Sequence, residues 1–117
     1  MDKVLLLNAF SLNMLDANKG EWAKIHASPV ATRYAAQVLS RANRVENSIG
    51  HVSTAAIVAT ELAEYGVELH PAERRTVTLG IGQEAVVAQY VGPRLPEGAT
   101  ELPDGAEIRW FYVVRTA

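Results

Sequence analysis

The residues best suited to chemistry fall in short polar stretches, the central one being Asn47-Ser48-Ile49-Gly50-His51-Val52-Ser53-Thr54. Here a polar loop with one glycine runs into an amphipathic segment. A histidine at that junction can give a proton to a leaving oxygen, which is general acid catalysis. The N–H groups left unpaired at a helix start favour an anion such as phosphate, and Gly50 lets a ligand approach the main chain closely. The Ser48-Ile49-Gly50 turn is thus a candidate binding element and His51 a candidate acid. The plainer alternative is an ordinary helix start, with Ser48 or Ser53 as N-cap, Gly50 as a turn and His51 exposed in the first turn.

Asn8-Ala9-Phe10-Ser11-Leu12-Asn13-Met14-Leu15 is a second such stretch. Asn8, Ser11 and Asn13 carry amide and hydroxyl groups suited to a nucleotide's base, ribose or phosphate. An Asx or Ser turn without a ligand would use the same residues. In Arg94-Leu95-Pro96-Glu97-Gly98, an Arg and a Glu on a stiff loop could bind a phosphate and orient a nucleophile. A surface ion pair of little energetic weight is the simpler reading of that pair. His26, His51 and His70 have no metal-ligand spacing, so neither a metal nor another cofactor is expected.

Composition narrows the setting. A chain of 117 residues, 49% apolar and 21% charged, suits one domain spanning 1–117 with a proper core. The absence of cysteine excludes disulfides and thiolate metal sites. A net charge of −2 argues against coating long nucleic acid, whereas a small nucleotide in a local pocket stays allowed. Most of the eleven cations are arginines, which suit bidentate phosphate recognition and surface solubility equally. The apolar run Val4–Leu7 is too short for a signal peptide or a membrane span, and a cytoplasmic location without membrane contact is expected.

These candidates must be positioned by regular elements. Lys3–Leu7 reads as a strand buried on both faces, with Asn8 at its carboxyl end, where open α/β sheets bind ligands. Glu21–Ala27 alternates with period two and reads as a strand near an edge. Ser28-Pro29 looks like an N-cap with proline at N1, opening a helix to about Ala42 that turns Val30, Tyr34 and Val38 inward, with Ala35 and Ala42 beside them. The second helix, Val52–Tyr65, turns Val52, Ala55, Ala56, Ala59, Leu62 and Ala63 inward and ends before Gly66, an expected left-handed C′ residue. The two form a helix–loop–helix pair whose connection carries Asn47–His51. Val67–His70 reads as a short extended piece before Pro71. Arg74–Ile81 and Glu84–Val91 read as a β-hairpin around Gly82-Gln83, and Glu107–Arg115 as the last strand. The fold class is α/β: a mixed β-sheet of about five strands with helices packed on it, two of them consecutive mid-chain.

Leu-Leu-Asn-Ala-Phe-Ser-Leu-Asn-Met-Leu (6–15), Asn-Ser-Ile-Gly-His-Val-Ser-Thr (47–54) and Arg-Leu-Pro-Glu-Gly (94–98) together resemble the small viral ring nucleases used as anti-CRISPR proteins against type III systems. That family has cellular members and was first catalogued as a domain of unknown function in archaeal viruses. The resemblance implies a homodimer that binds cyclic tetra-adenylate in a cleft across its axis. It implies ring cleavage without a metal, by the ribose 2′-hydroxyl, leaving linear di-adenylates with 2′,3′-cyclic phosphate ends. The family's histidine falls on His51, its Arg and Glu on Arg94 and Glu97, and its polar first loop on Asn8, Ser11 and Asn13. The Ala- and Arg-rich composition departs from the Lys-, Glu- and Ile-rich members of hyperthermophile viruses and suggests a bacterial, high-GC host or its phage. The other function class is a non-catalytic sponge or sensor of cyclic oligoadenylate.

Overall fold

Lys3–Leu7 is strand β1 in the computed structural model, which describes residues 3–73 and 77–117. Its apolar run is buried on both faces, Val4 and Leu6 toward the helices and Leu5 and Leu7 toward the opposite side. After a 3-10 turn (Leu12–Met14) come β2 (Ile25–Val30), α1 (Thr32–Arg41), β3 (Arg44–Asn47), α2 (Val52–Ala63), β4 (Glu84–Val91) and β5 (Glu107–Arg115). The five strands form one mixed sheet in the order β2-β5-β4-β1-β3. β1 pairs in parallel with β3 and β4, while β5 runs antiparallel to β4 and β2. The register sets Leu6 opposite both Asn47 and Val86, so the three parallel strands send their carboxyl ends toward one edge.

Both helices pack on the same face of this α/β sheet. Ala35, Val38 and Leu39 of α1 and Ile57, Val58 and Leu62 of α2 close over Val4, Leu6, Val86 and Trp110. The other face has no helix among the described residues. Phe10, Met14, Val77 and Leu79 from irregular segments cover Leu5, Leu7, Ala85 and Val113 there. The Leu79 N–H donates to the Met14 carbonyl at 2.8 Å and joins those two segments. No helix among the described residues is long and apolar enough to cross a membrane.

The structure departs from the sequence reading in four places. Ser28 and Pro29 do not cap a helix: they belong to β2, which lies later than Glu21–Ala27 because β5 pairs with Ile25 through Val30. Proline is tolerated there because β2 is an edge strand. Arg44–Asn47 is a strand, so the two helices are separated by β3 rather than by a loop alone. The expected Arg74–Ile81 hairpin strand is not formed where it can be followed. Residues 74–76 lie outside the described residues, and 77–80 are irregular, leading through a turn into β4.

The inward face of α1 is as expected apart from one residue: Ala35 and Val38 are buried, with Ala36 and Leu39, and Val30 and Ala42 pack against the core, while Tyr34 stays half-exposed with its ring edge-on to Tyr112. The face of α2 is rotated. α2 buries Ser53, Thr54, Ile57, Val58 and Leu62, and Val52 is 81% exposed. Alanines carry so little apolar area that their spacing marks a face weakly. The end of α2 is as expected: Gly66 has φ +77°, with its N–H on the Ala63 carbonyl and that of Val67 on Leu62.

Candidate active site

The loop after β3 is turned by a buried amide. Asn47 Oδ1 accepts the Ile49 N–H at 3.1 Å, and Asn47 Nδ2 donates to the His70 carbonyl at 2.7 Å. The Ser48 N–H donates to the Leu6 carbonyl at 2.8 Å, and Ile49 is sunk in the core. The chain therefore has little freedom when it reaches His51. That residue is itself the N-cap of α2: its Nδ1 accepts the Thr54 N–H at 3.2 Å, with the Thr54 hydroxyl 3.1 Å away. The Ala55 N–H bonds to the His51 carbonyl at 2.9 Å, starting the helical ladder. Neither Ser48 nor Ser53 fills the capping role that an ordinary helix start assigns them.

The opposite wall begins where β4 ends, at Gln89 and Tyr90. Gly92 (φ +154°) turns the chain so close to β5 that an added Cβ would lie 2.6 Å from the Ala106 side chain. The Tyr90 hydroxyl donates to the Pro93 carbonyl and pins the loop just before Arg94. A long contact of 3.5 Å from the Ser53 hydroxyl to the Pro96 carbonyl reaches across from α2. Arg94 and Glu97 are both exposed and do not pair with each other. The ion pairs among the described residues are Lys3–Glu46 and Arg44–Glu73, both elsewhere.

Between the walls lies a cleft of about 1270 Å³, bordered by Asn8, Gly50 to Thr54, Gln89, Tyr90, Gly92 and Arg94 to Gly98. It sits at the carboxyl ends of the parallel strands β1, β3 and β4, where such sheets bind ligands. His51, Arg94, Glu97, Asn8 and Gly50, far apart in the chain, are thus brought to one cavity. Gly50 has ordinary backbone angles, and a Cβ there would meet nothing within 4 Å, so the fold itself does not demand glycine.

The remaining candidates lie elsewhere. Ser11 and Asn13 are absent from the cleft lining; the Ser11 hydroxyl caps its own 3-10 turn by accepting the Asn13 N–H at 3.3 Å. Ser48 and Ile49 are buried beneath the loop and hold it up rather than face the cavity. Sequence reasoning missed Ser53, Thr54, Gln89 and Tyr90 as lining residues. Gln89 was findable as the one amide in an otherwise apolar strand interior, but the other three look like ordinary helix and strand residues.

Chemically, the cleft is bordered by a ring nitrogen, a guanidinium, a carboxylate and the first turn of α2, whose N–H groups favour an anion. Among the described residues the group with a displaced titration lies outside it: burial, together with the neighbouring charge of Glu64, holds the Glu61 carboxyl above its ordinary range. Among the described residues no three His, Asp or Glu gather as metal ligands.

Comparison with solved structures gives B116 of Sulfolobus turreted icosahedral virus (STIV) at 28% identity, with a TM-score of 0.71. The alignment covers 96% of this chain and 98% of that one. No curated protein matches. The sequence model of the STIV B116-like family matches residues 4–109, which takes in both helices, β4 and every wall of the cleft. The chain belongs to the STIV B116-like family.

Proposed function

We propose that this protein is a ring nuclease, a metal-independent phosphodiesterase that opens cyclic tetra-adenylate to linear di-adenylates with 2′,3′-cyclic phosphate ends. In that role it switches off type III CRISPR signalling, as an anti-CRISPR protein or a cell's own off-switch. The observation that carries the reading is the convergence of His51, Arg94, Glu97 and Asn8 on one cleft. A solved relative from a virus fits a counter-defence role.

The reaction needs in-line geometry, charge stabilisation at phosphorus and a proton for the departing oxygen. The ribose 2′-oxygen forms a bond to phosphorus, the bond from phosphorus to the 5′-oxygen breaks, and His51 protonates that oxygen. Arg94 and the α2 N–H groups stabilise the charge on the pentacoordinate phosphorus, and Glu97 takes the 2′-hydroxyl proton. A homodimer belongs to the proposal, because a two-fold axis presents equivalent sites to opposite phosphodiesters of a four-fold ring.

The test is incubation of the pure protein with labelled cyclic tetra-adenylate in EDTA, beside His51→Ala, with products read against linear and cyclic-phosphate standards. Di-adenylates from wild type but not from the variant are expected; intact ring with both would refute the reading. One observation favours a second reading, a non-catalytic cyclic oligoadenylate sponge or sensor: the His51 ring caps α2, which is a structural reason for a histidine there. Tight binding without cleavage by wild type would select it.

A further inference from the structure

We propose that Thr54 is the positioning residue for His51, its hydroxyl holding the ring at the start of α2 in every protonation state that an acid catalyst must visit. The consequence for cleavage rests on the ring-nuclease reading; the geometry stands apart from it. In the structure the Thr54 main-chain N–H donates to His51 Nδ1 at 3.2 Å, and the Thr54 hydroxyl lies 3.1 Å from the same nitrogen, able to donate to it or accept from it. A ring that accepts at Nδ1 carries its neutral-state proton on Nε2, the nitrogen free of the cap.

That state caps the helix but is not yet an acid. Before it can deliver a proton the ring must become an imidazolium, and the new proton must go onto Nδ1, the nitrogen the cap occupies. The main-chain N–H cannot become an acceptor. The hydroxyl can: it rotates, stops donating and accepts from Nδ1–H. In the chemical step the 2′-oxygen bonds to phosphorus and its proton goes to the Glu97 carboxylate. The bond to the 5′-oxygen breaks, and the Nε2 proton moves to that oxygen. The neutral ring that results carries its proton on Nδ1, still held by the Thr54 oxygen, until a fresh proton arrives at Nε2.

Thr54 is 5% exposed, so water is poorly placed to substitute for its hydroxyl. The first turn of α2 contains no acidic side chain that could take the role. The titratable and charged groups that share the cleft with the ring are Tyr90, Arg94 and Glu97, on β4 and the loop that follows it. The sequence pattern hides this role, since a threonine three residues after a cap is read as a helix-start residue.

The experiment uses the wild type, Thr54→Val, which keeps the shape without the hydroxyl, and Thr54→Ser, which returns it. Ring-nitrogen NMR of free protein labelled at histidine reads the His51 tautomer against pH, and single-turnover cleavage of cyclic tetra-adenylate is measured over the same range. The wild-type neutral ring is expected to carry its proton on Nε2. General acid catalysis is worth roughly 10²–10⁴-fold, and Thr54→Val should lose about tenfold or more of it while still binding the ring. Its activity should also fall away at lower pH than that of wild type, because the imidazolium has lost its acceptor, and Thr54→Ser should restore rate and profile together.

A wild-type neutral ring protonated on Nδ1 would overturn the proposal, and that measurement holds even if Thr54→Val fails to fold. So would an equal loss in Thr54→Ser with an unmoved pH profile, which marks simple packing. If wild type does not cleave but its neutral ring carries the proton on Nε2, and the ring-nitrogen signals of Thr54→Val show the imidazolium giving way to the neutral ring at lower pH than in wild type and Thr54→Ser, the nuclease reading falls and the positioning of His51 by Thr54 stands.

Discussion

The wall of the cleft that carries His51 is anchored by buried groups, and the wall that carries Arg94 is anchored by exposed ones. Asn47, Ser48, Ile49, Ser53 and Thr54 are all buried, and their bonds to His70, Leu6 and the His51 ring fix the loop from beneath. Across the cleft, Gly92, Pro93, Arg94, Pro96 and Glu97 are exposed, and the Tyr90 hydroxyl on Pro93 is their firm side-chain tie. Under the proposed reaction the contrast matches what each wall would have to supply. A proton donor works only within hydrogen-bond reach and along one direction, so its main chain must be over-determined. A guanidinium that neutralises charge acts over a longer range and gains from being free to fit its anion.

The sharpest way to break this contrast is His51→Ala. If the rigid wall exists to place one ring, cleavage should fall by roughly 10²–10⁴-fold while binding of cyclic tetra-adenylate persists. Because the ring also caps α2, stability should drop by about 1 kcal/mol, read as a lower melting temperature. Unfolding of the variant would reduce His51 to a structural residue.

Asn47→Ala removes the pin without touching the cleft. Leaving the Ile49 N–H and the His70 carbonyl unpaired should cost about 1–3 kcal/mol, measured by denaturant unfolding. A shift of the His51 loop by about 1 Å can cost roughly 10²-fold in rate, so cleavage should suffer more than binding. An Asn47→Ala protein with native rate and stability would show that the buried wall is not what aims the ring.

Arg94→Ala should behave in the opposite way. A hydrogen bond to a charged group is worth about 1.5–3 kcal/mol, so binding and turnover should each weaken by roughly 10–100-fold. The side chain is exposed and makes no ion pair among the described residues, so the melting temperature should not move. A variant that melts early would place Arg94 among the structural anchors and erase the difference between the walls.

How much of this was legible in the sequence depended on whether the signal was local. β1, β4 and β5 carry enough consecutive apolar residues to declare themselves, and their limits coincide with the reading. β3 does not: Arg44-Val45-Glu46-Asn47 is short and charged, and it becomes a strand because β1 offers it a parallel edge. β2 likewise took its limits from β5, which drew Ser28 and Pro29 out of the expected helix. At the site, His51, Arg94, Glu97 and Asn8 were recognisable by chemical type. Ser11 and Asn13 had the right types but close on their own turn, and Tyr90 and Thr54 act through bonds that only the folded chain makes. Side-chain chemistry is local information; who holds whom is not.

The finest test of the contrast is Tyr90→Phe, which deletes one hydroxyl and keeps the ring packed against the core. A typical hydrogen bond contributes about 0.5–1.5 kcal/mol net, and one made by an exposed loop should fall at the low end. The melting temperature should therefore hardly change. The effect should appear in binding, where a looser Pro93 lets Arg94 sample more positions and weakens affinity for cyclic tetra-adenylate by less than about tenfold. The cleavage rate of the bound ring should stay close to wild type, since the His51 wall is untouched. A fall in that rate at saturating ligand would mean that the lightly held wall also sets the geometry of attack, and the division between an aiming wall and a gripping wall would have to be given up.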